Sequence, residues 1–69
     1  MYAVKSVNLL NKNTEHYTPC PYGHPQACNT MRSEIAEMDA AGWVEGDDYT
    51  IEVVEVDDDF DFDNQPEWN

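Results

Sequence analysis

Four side chains of the types that bind zinc recur every fourth residue in the N-terminal half of the chain. Their order is H-x3-C-x3-H-x3-C, formed by His16, Cys20, His24 and Cys28. Thiolate and imidazole groups are zinc ligands, and a bound metal stabilises small domains. The spacing differs from the paired C-x2–4-C and H-x3–5-H of common zinc motifs. Three interpretations stay open: a structural zinc, a disulfide between the cysteines, or neither. Each is structural, because nothing in the motif indicates a catalytic metal site.

The second constellation is a concentration of carboxylates. Residues 1–32 hold three basic side chains and one acidic one, a net charge of +2, whereas residues 33–69 hold fourteen acids and no base. The net charge of the chain is −12, and such self-repulsion opposes a compact state. Nucleic-acid-binding surfaces are basic. We therefore expect no direct binding to nucleic acid or to an anionic membrane, and we expect a basic nucleic-acid-binding protein as the partner.

Every second residue from 55 to 63 is acidic, and the residues between them, from 54 to 62, are apolar except Asp58. If this segment is extended, every second residue lies on the same side, at a spacing of about 6.6 Å. Consecutive phosphates of a nucleic-acid strand are broadly similar in spacing. The alternation thus predicts a ladder of carboxylates that mimics a phosphate backbone, with Phe60 and Phe62 packed on the domain or inserted into the partner. The alternative is that residues 57–69 form a solvated, disordered acidic tail. The carboxylates of the ladder are Glu55, Asp57, Asp59, Asp61 and Asp63.

The predicted partner-binding surface includes this ladder and the acids that precede it. It combines carboxylates of a predicted helix, of the segment that follows it and of the last strand with the two phenylalanines. Its members are Glu34, Glu37, Asp39, Glu45, Asp47, Asp48, Glu52, Glu55, Asp57, Asp58, Asp59, Phe60, Asp61, Phe62 and Asp63.

Common signatures of enzymes are missing from the sequence. There is no G-x-S-x-G, no phosphate-binding glycine-rich loop and no H-E-x-x-H. A chain of 69 residues also leaves little room for a substrate pocket. We predict that the protein is not an enzyme and requires no cofactor, apart from the structural zinc that remains open.

The elements that position these groups can be predicted from local patterns. Residues 2–10 are rich in β-formers and predict a strand, and residues 14–18 predict a short second strand after an Asn-Lys-Asn turn. Three prolines and a glycine between residues 19 and 25 predict a loop. Asn29 or Thr30 is the predicted N-cap of a helix, and Gly42 follows its end.

The last predicted strand, residues 49–56, carries apolar residues on both faces, which implies either coverage of both faces or a bulge near Val53. The order ββαβ predicts an α+β fold with one helix packed on a two- or three-stranded sheet, and an acidic C-terminal strand or tail. We assign residues 1–56 to a single small domain and residues 57–69 to an acidic, aromatic C-terminal extension.

Location and self-association can also be predicted. No apolar run has the roughly 18 residues of a membrane span, and residues 1–10 are too short and polar for a secretory signal. We therefore expect a cytoplasmic protein without membrane contact. An exposed sheet edge in so small a domain also favours a homodimer.

The chain resembles a class of small acidic proteins that phages encode to disarm host enzymes. The class includes DNA mimics that block restriction, repair or CRISPR nucleases. The resemblance rests on size, on the helix acids Glu34, Glu37 and Asp39, and on residues 45–63. It implies a non-catalytic inhibitor in the host cell cytoplasm that occupies a nucleic-acid-binding groove. The alternative function is a small interaction module stabilised by a metal in the Cys/His segment, with the acidity serving solubility.

Overall fold

The computed structural model describes residues 1–66, so Glu67, Trp68 and Asn69 of the predicted extension lie outside the described residues. It contains three strands and one helix in the order ββαβ, which confirms the predicted α+β fold. The elements are β1 (Tyr2–Asn8), β2 (Thr14–Cys20), α1 (His24–Ala40) and β3 (Tyr49–Glu55). Within this part of the chain, no helix has both the length and the apolar composition needed to cross a lipid bilayer.

The sheet is antiparallel, with strand order β2-β1-β3. The β1–β2 turn places Lys12 and Asn13 at φ 55° and 56°, in the left-handed region that Asn tolerates. Along β3 the pairing with β1 is one residue to one residue, from Tyr2 opposite Glu55 to Asn8 opposite Tyr49. The ladder therefore has no bulge near Val53. Of the two predicted alternatives, coverage of both faces of the sheet is the one observed.

The loop predicted over residues 19–25 is much shorter in the structure. Pro19 lies inside β2, an edge strand, where a missing N–H costs no hydrogen bond to the neighbouring strand. Pro25 lies in the first turn of α1. A backbone N–H at this position would have no partner within the helix, so a residue without one is tolerated there. The helix accordingly begins at His24, after the N-cap Gly23, and not at Asn29 or Thr30 as predicted.

The end of α1 agrees with the prediction. Gly42 has φ 88°, and its N–H donates to the carbonyl of Asp39 at 3.0 Å. The N–H of Trp43 donates to the carbonyl of Met38 at 2.9 Å, which completes a Schellman motif. The chain thus reverses, and the Trp43 ring contacts the ring of Tyr49 with centroids 6.4 Å apart.

The core lies between α1 and one face of the sheet. Val4 of β1, Cys20 of β2 and Ala27 of α1 are fully buried there. Tyr49, at the start of β3, is 1% exposed. Tyr2, Met31, Ile51 and Val53 pack around this centre. Few residues are fully buried, so stability depends on covering the second face of the sheet as well.

The C-terminal extension covers that second face. Met1 and Val56 exchange two backbone hydrogen bonds, and the chain then turns, with the N–H of Phe60 donating to the carbonyl of Asp57 at 3.1 Å. The ring of Phe60 contacts the rings of both Tyr17 and Phe62, each at a centroid distance of 4.7 Å. We call Tyr17, Phe60 and Phe62 the aromatic cover.

Gln65 joins the extension to the edge strand β2. Its Oε1 accepts a hydrogen bond from the N–H of Tyr17 at 2.6 Å, and its Nε2 donates to the carbonyl of the same residue at 2.8 Å. The side-chain amide thereby satisfies backbone groups at an exposed sheet edge, where unpaired groups invite pairing with another chain. Neither Gln65 nor Tyr17 was predicted to have this role.

Candidate functional site

Carboxylates lie on every part of the structure that follows Arg32. In the predicted partner-binding set, all of the acids except Glu34 and Asp48 are exposed. Within residues 1–66, only two carboxylates lie within 4.0 Å of a basic nitrogen: Glu15 is 2.8 Å from Lys5, and Asp58 is 3.6 Å from the N-terminal ammonium. The rest of the described acidic surface has no ion-pair partner among residues 1–66.

The carboxylate ladder predicted over residues 55–63 is wrong in its geometry. β3 ends at Glu55, and the chain turns after Val56 and does not continue as a strand. Asp61 Oδ1 accepts hydrogen bonds from the backbone N–H groups of Asp63 and Asn64, at 3.0 and 3.3 Å, which stabilises a further bend. The carboxylates of the extension are therefore not held in one straight, evenly spaced row. The physical reason is that Phe60 and Phe62 pack together against β2.

A second group of acids lies at and after the C-terminal end of α1. Glu37 and Asp39 lie in the last turn of the helix, and Glu45 lies in the connection to β3. Burial raises the pKa of the Tyr49 hydroxyl, and the negative charges of Glu45 and Asp39 raise it further, which places both carboxylates near this residue. We call Glu37, Asp39 and Glu45 the helix-end acids.

The placement of these charges opposes the helix dipole. The C-terminus of a helix carries partial negative charge, so acids there are unfavourable and bases favourable. The last turn of α1 contains no basic residue, and its first turn contains no acidic one. The distribution is the reverse of the one that stabilises a helix. Solubility alone would be served as well by acids at the other end of the helix.

Asp48 differs from the other predicted acids because its groups are used within the fold. Its Oδ2 accepts a hydrogen bond from the N–H of Val44 at 2.8 Å, and its backbone carbonyl accepts one from the N–H of Leu9 at 3.0 Å. The first bond organises the connection between α1 and β3, and the second attaches it to the end of β1. The structure thus gives Asp48 a positioning role in the connection.

A groove lies between the C-terminal half of α1 and the sheet. It has a cavity volume of about 220 Å³ and is lined by all four elements, with acidic side chains from α1 and apolar ones from α1 and β3. We call it the α1–sheet groove. Its lining residues are Ser6, His16, Glu34, Glu37, Met38, Tyr49 and Ile51.

Glu34 is the polar residue of this groove that the fold leaves incompletely bonded. Its Oε1 accepts a hydrogen bond from the Thr18 hydroxyl at 3.1 Å. Its Oε2 is buried and has no hydrogen-bond partner among the described residues. Burial raises the pKa of the Glu34 carboxyl, and Glu37 adds to this effect, whereas the Thr18 hydrogen bond and His16 oppose it. A buried, unpaired carboxylate oxygen is costly.

Replacing Glu34 by Gln is expected to stabilise the protein at neutral pH by about 1 kcal/mol. A raised pKa means that the folded state binds the proton more tightly than the unfolded state, so wild-type stability falls as pH rises above the ordinary value of 4.5. The advantage of Glu34→Gln should therefore vanish near pH 4 and grow toward pH 8. Urea unfolding followed by circular dichroism at several pH values measures it.

Glu52→Gln is the matched control, because it also removes one negative charge, from an exposed position in β3. It reports the relief of general repulsion, less the attraction between Glu52 and Lys5, which is its partner across β3 and β1. If both variants gain equally at every pH, the buried state of Glu34 has no energetic consequence and the interpretation is wrong.

The Cys/His segment spans three different environments. His16 lies within β2, Cys20 is fully buried at the end of that strand, and His24 and Cys28 lie one turn apart on α1. The sulfur of Cys28 is 3.6 Å from Nδ1 of His24, whereas the sulfur of Cys20 lies 3.5 Å from the carbonyl of Thr18.

The structure does not assemble these four residues into a metal site. In the part of the chain that it describes, no three His, Cys, Asp or Glu side chains are arranged to hold a metal ion. Both cysteines are free thiols, so the disulfide that the sequence left open as one of three alternatives is not formed. The structural zinc stays a prediction, which elemental analysis of the purified protein tests.

Sequence reasoning did not find the α1–sheet groove. The signal was weak but present, since Glu34 lies one residue before Ile35 on the helix and close to its apolar stripe. Comparison with known proteins adds nothing to the geometry: no family model, curated protein or solved structure matches the chain.

Proposed function

We propose that the protein is a non-catalytic inhibitor that presents its carboxylate-rich surface to the nucleic-acid-binding groove of a basic target protein. The observation that carries this proposal is the set of acids at and after the end of α1, which have no ion-pair partner among residues 1–66 and two of which lie in the last helical turn, where the helix dipole makes them unfavourable. These negative charges lower the stability of the helix and form no ion pair within the described residues. Such charges are well suited to pair with a cationic partner. The target class is a nuclease or another nucleic-acid-binding protein of a host defence system, by the resemblance to acidic phage inhibitors.

The partner surface differs from the one predicted from sequence. Its centre is the helix-end acids, with Asp47 beside them in sequence and with the exposed acids of β3 and the extension contributing to the long-range field. Complementary charge of this kind accelerates association and is weakened by salt. Phe60 and Phe62 are assigned to the fold, because they form the aromatic cover.

The remaining properties are proposals of the same kind. The cytoplasm is a reducing compartment, in which the two free thiols would persist. A homodimer would pair through the outer edge of β3, because Gln65 already bonds Tyr17 at the β2 edge. The expected partner is a basic target protein. Direct binding to nucleic acid or to a membrane is not expected.

A pull-down from host lysate tests the proposal. The tagged protein is loaded at low salt, and bound proteins are eluted first with duplex DNA and then with a salt gradient. We expect one nucleic-acid-binding protein that DNA displaces, with an affinity that falls at least about tenfold between 50 and 200 mM salt. A target that binds DNA and this protein simultaneously, or whose binding ignores salt, would contradict mimicry. Elution of many basic proteins together would show non-selective charge attraction instead.

A further inference from the structure

The α1–sheet groove is too small for most drug-sized ligands and large enough for a single side chain. Its volume of about 220 Å³ lies below the roughly 300–1,000 Å³ of typical ligand pockets. Met38, Tyr49 and Ile51 provide apolar surface, while Glu34 and Glu37 provide carboxylates. An occupant therefore needs an apolar stem and a polar head.

The charge of the groove selects a cationic head. Glu34 lines the groove, and its Oε2 is buried without a hydrogen-bond partner among the described residues, so a positive charge in the groove would offset part of the cost of burying this carboxylate. Glu37 lies on the same helix at the exposed side of the groove. Two carboxylates lining one groove are complementary to a positive charge and not to an anion.

Arginine fits this combination better than lysine. A guanidinium group presents five donors over a planar fork and is more weakly hydrated than an ammonium, so it enters partly buried sites at lower cost. Its planar fork can donate to more than one carboxylate oxygen, and its methylene stem can lie against apolar side chains.

We propose that the α1–sheet groove binds the side chain of an arginine of the target protein, with Glu34 and Glu37 as its anionic partners. The source of this arginine, a nucleic-acid-binding protein, rests on the proposed function. The binding of a guanidinium group in the groove is independent of the proposed function. Arginines of a nucleic-acid-binding groove contact phosphates, so an arginine held here would be withdrawn from nucleic acid.

The surroundings of Glu34 predict how this binding depends on pH. Facing the groove are His16 from β2, Glu37 from α1 and Tyr49 from β3, together with the neutral hydroxyl of Ser6 from β1. A bound guanidinium would favour the ionised form of Glu34, whose pKa is raised by burial. Acidification protonates this carboxyl, and we therefore expect binding at pH 8 to be stronger than binding at pH 5.

Nuclear magnetic resonance titration of the whole protein with N-butylguanidinium chloride tests the site. We expect saturable shifts of the Thr18, Glu34 and Ile51 amides, and an affinity about tenfold higher than for N-butylurea, which has a similar shape and no charge. Glu34→Gln should weaken guanidinium binding about tenfold, whereas Glu52→Gln should change it by less than about twofold. The comparison of N-butylguanidinium with N-butylurea uses the wild-type protein, so its outcome is decisive even if a variant is unstable.

Two outcomes would overturn the site. One is a set of amide shifts that spreads over all of the exposed acids and is the same in Glu34→Gln and Glu52→Gln. The other is equal affinity for N-butylurea and N-butylguanidinium. The two proposals can fail separately. Groove binding without a nucleic-acid-binding target would refute the proposed function alone. A DNA-displaceable target whose affinity is unaffected by Glu34→Gln would refute the groove assignment alone.

Discussion

Replacing Phe60 by Ala is expected to lower the free energy of unfolding by about 2 kcal/mol and the melting temperature by about 10 °C. Complete burial of a phenylalanine would make the loss larger, but Phe60 is only partly buried. Its ring is central to the aromatic cover, since it contacts both Tyr17 and Phe62. Truncating it would uncover the second face of the sheet. Thermal and urea unfolding followed by circular dichroism measure the effect.

Tyr22→Ala is the control for this prediction. It removes an aromatic ring that is 86% exposed in the short segment between β2 and α1, so it should change stability by less than about 0.5 kcal/mol. The comparison decides between an integrated extension and a solvated acidic tail. If Phe60→Ala unfolds like wild type, the extension is not part of the folded structure and the tail interpretation is correct.

Neutralising the helix-end acids together is expected to weaken target binding about 100-fold. In this variant Glu37 and Glu45 become Gln and Asp39 becomes Asn. The estimate assumes about 1 kcal/mol for each charge facing a basic groove. The same variant should be at least as stable as wild type, because it removes charges that oppose the helix dipole. Loss of binding without loss of stability would identify a surface kept for recognition.

A second triple variant separates position from total charge. Replacing Asp57, Asp59 and Asp63 by Asn removes the same number of charges from the extension, and we expect a loss of only about tenfold through the weaker long-range field. Titration calorimetry with the target identified by pull-down measures both variants. Equal losses would mean that net charge alone governs the interaction, and a larger loss from the extension would place the contact there.

Local patterns predicted the elements wherever neighbouring residues decide the structure. The Asn-Lys-Asn turn and Gly42 adopt positive φ as expected, and the three strands lie close to their predicted positions. The start of the helix was missed because Pro25 was interpreted as part of a loop. The same proline is compatible with the first turn of a helix, and the sequence pattern alone did not distinguish the two.

The extension shows where local alternation is misleading. Residues 54–63 have the period of a strand, yet a strand needs a partner to satisfy its backbone, and the ladder with β1 ends at the Met1–Val56 pair. Beyond that pair, the chain turns, and Phe60 packs on Tyr17. Contacts between residues far apart in sequence outweighed the two-residue period.

The sequence by itself determined the sign and the uneven distribution of charge, because ionisable groups are properties of residue types. It also determined the order of the elements, through turn residues and apolar periodicity. Tertiary structure decided which carboxylate is special. Glu34 is one of fifteen acids in the sequence, and only the packing of α1 against β2 brings it to Thr18 and buries its second oxygen. Burial arises between elements that are distant along the chain, and no local pattern encodes it.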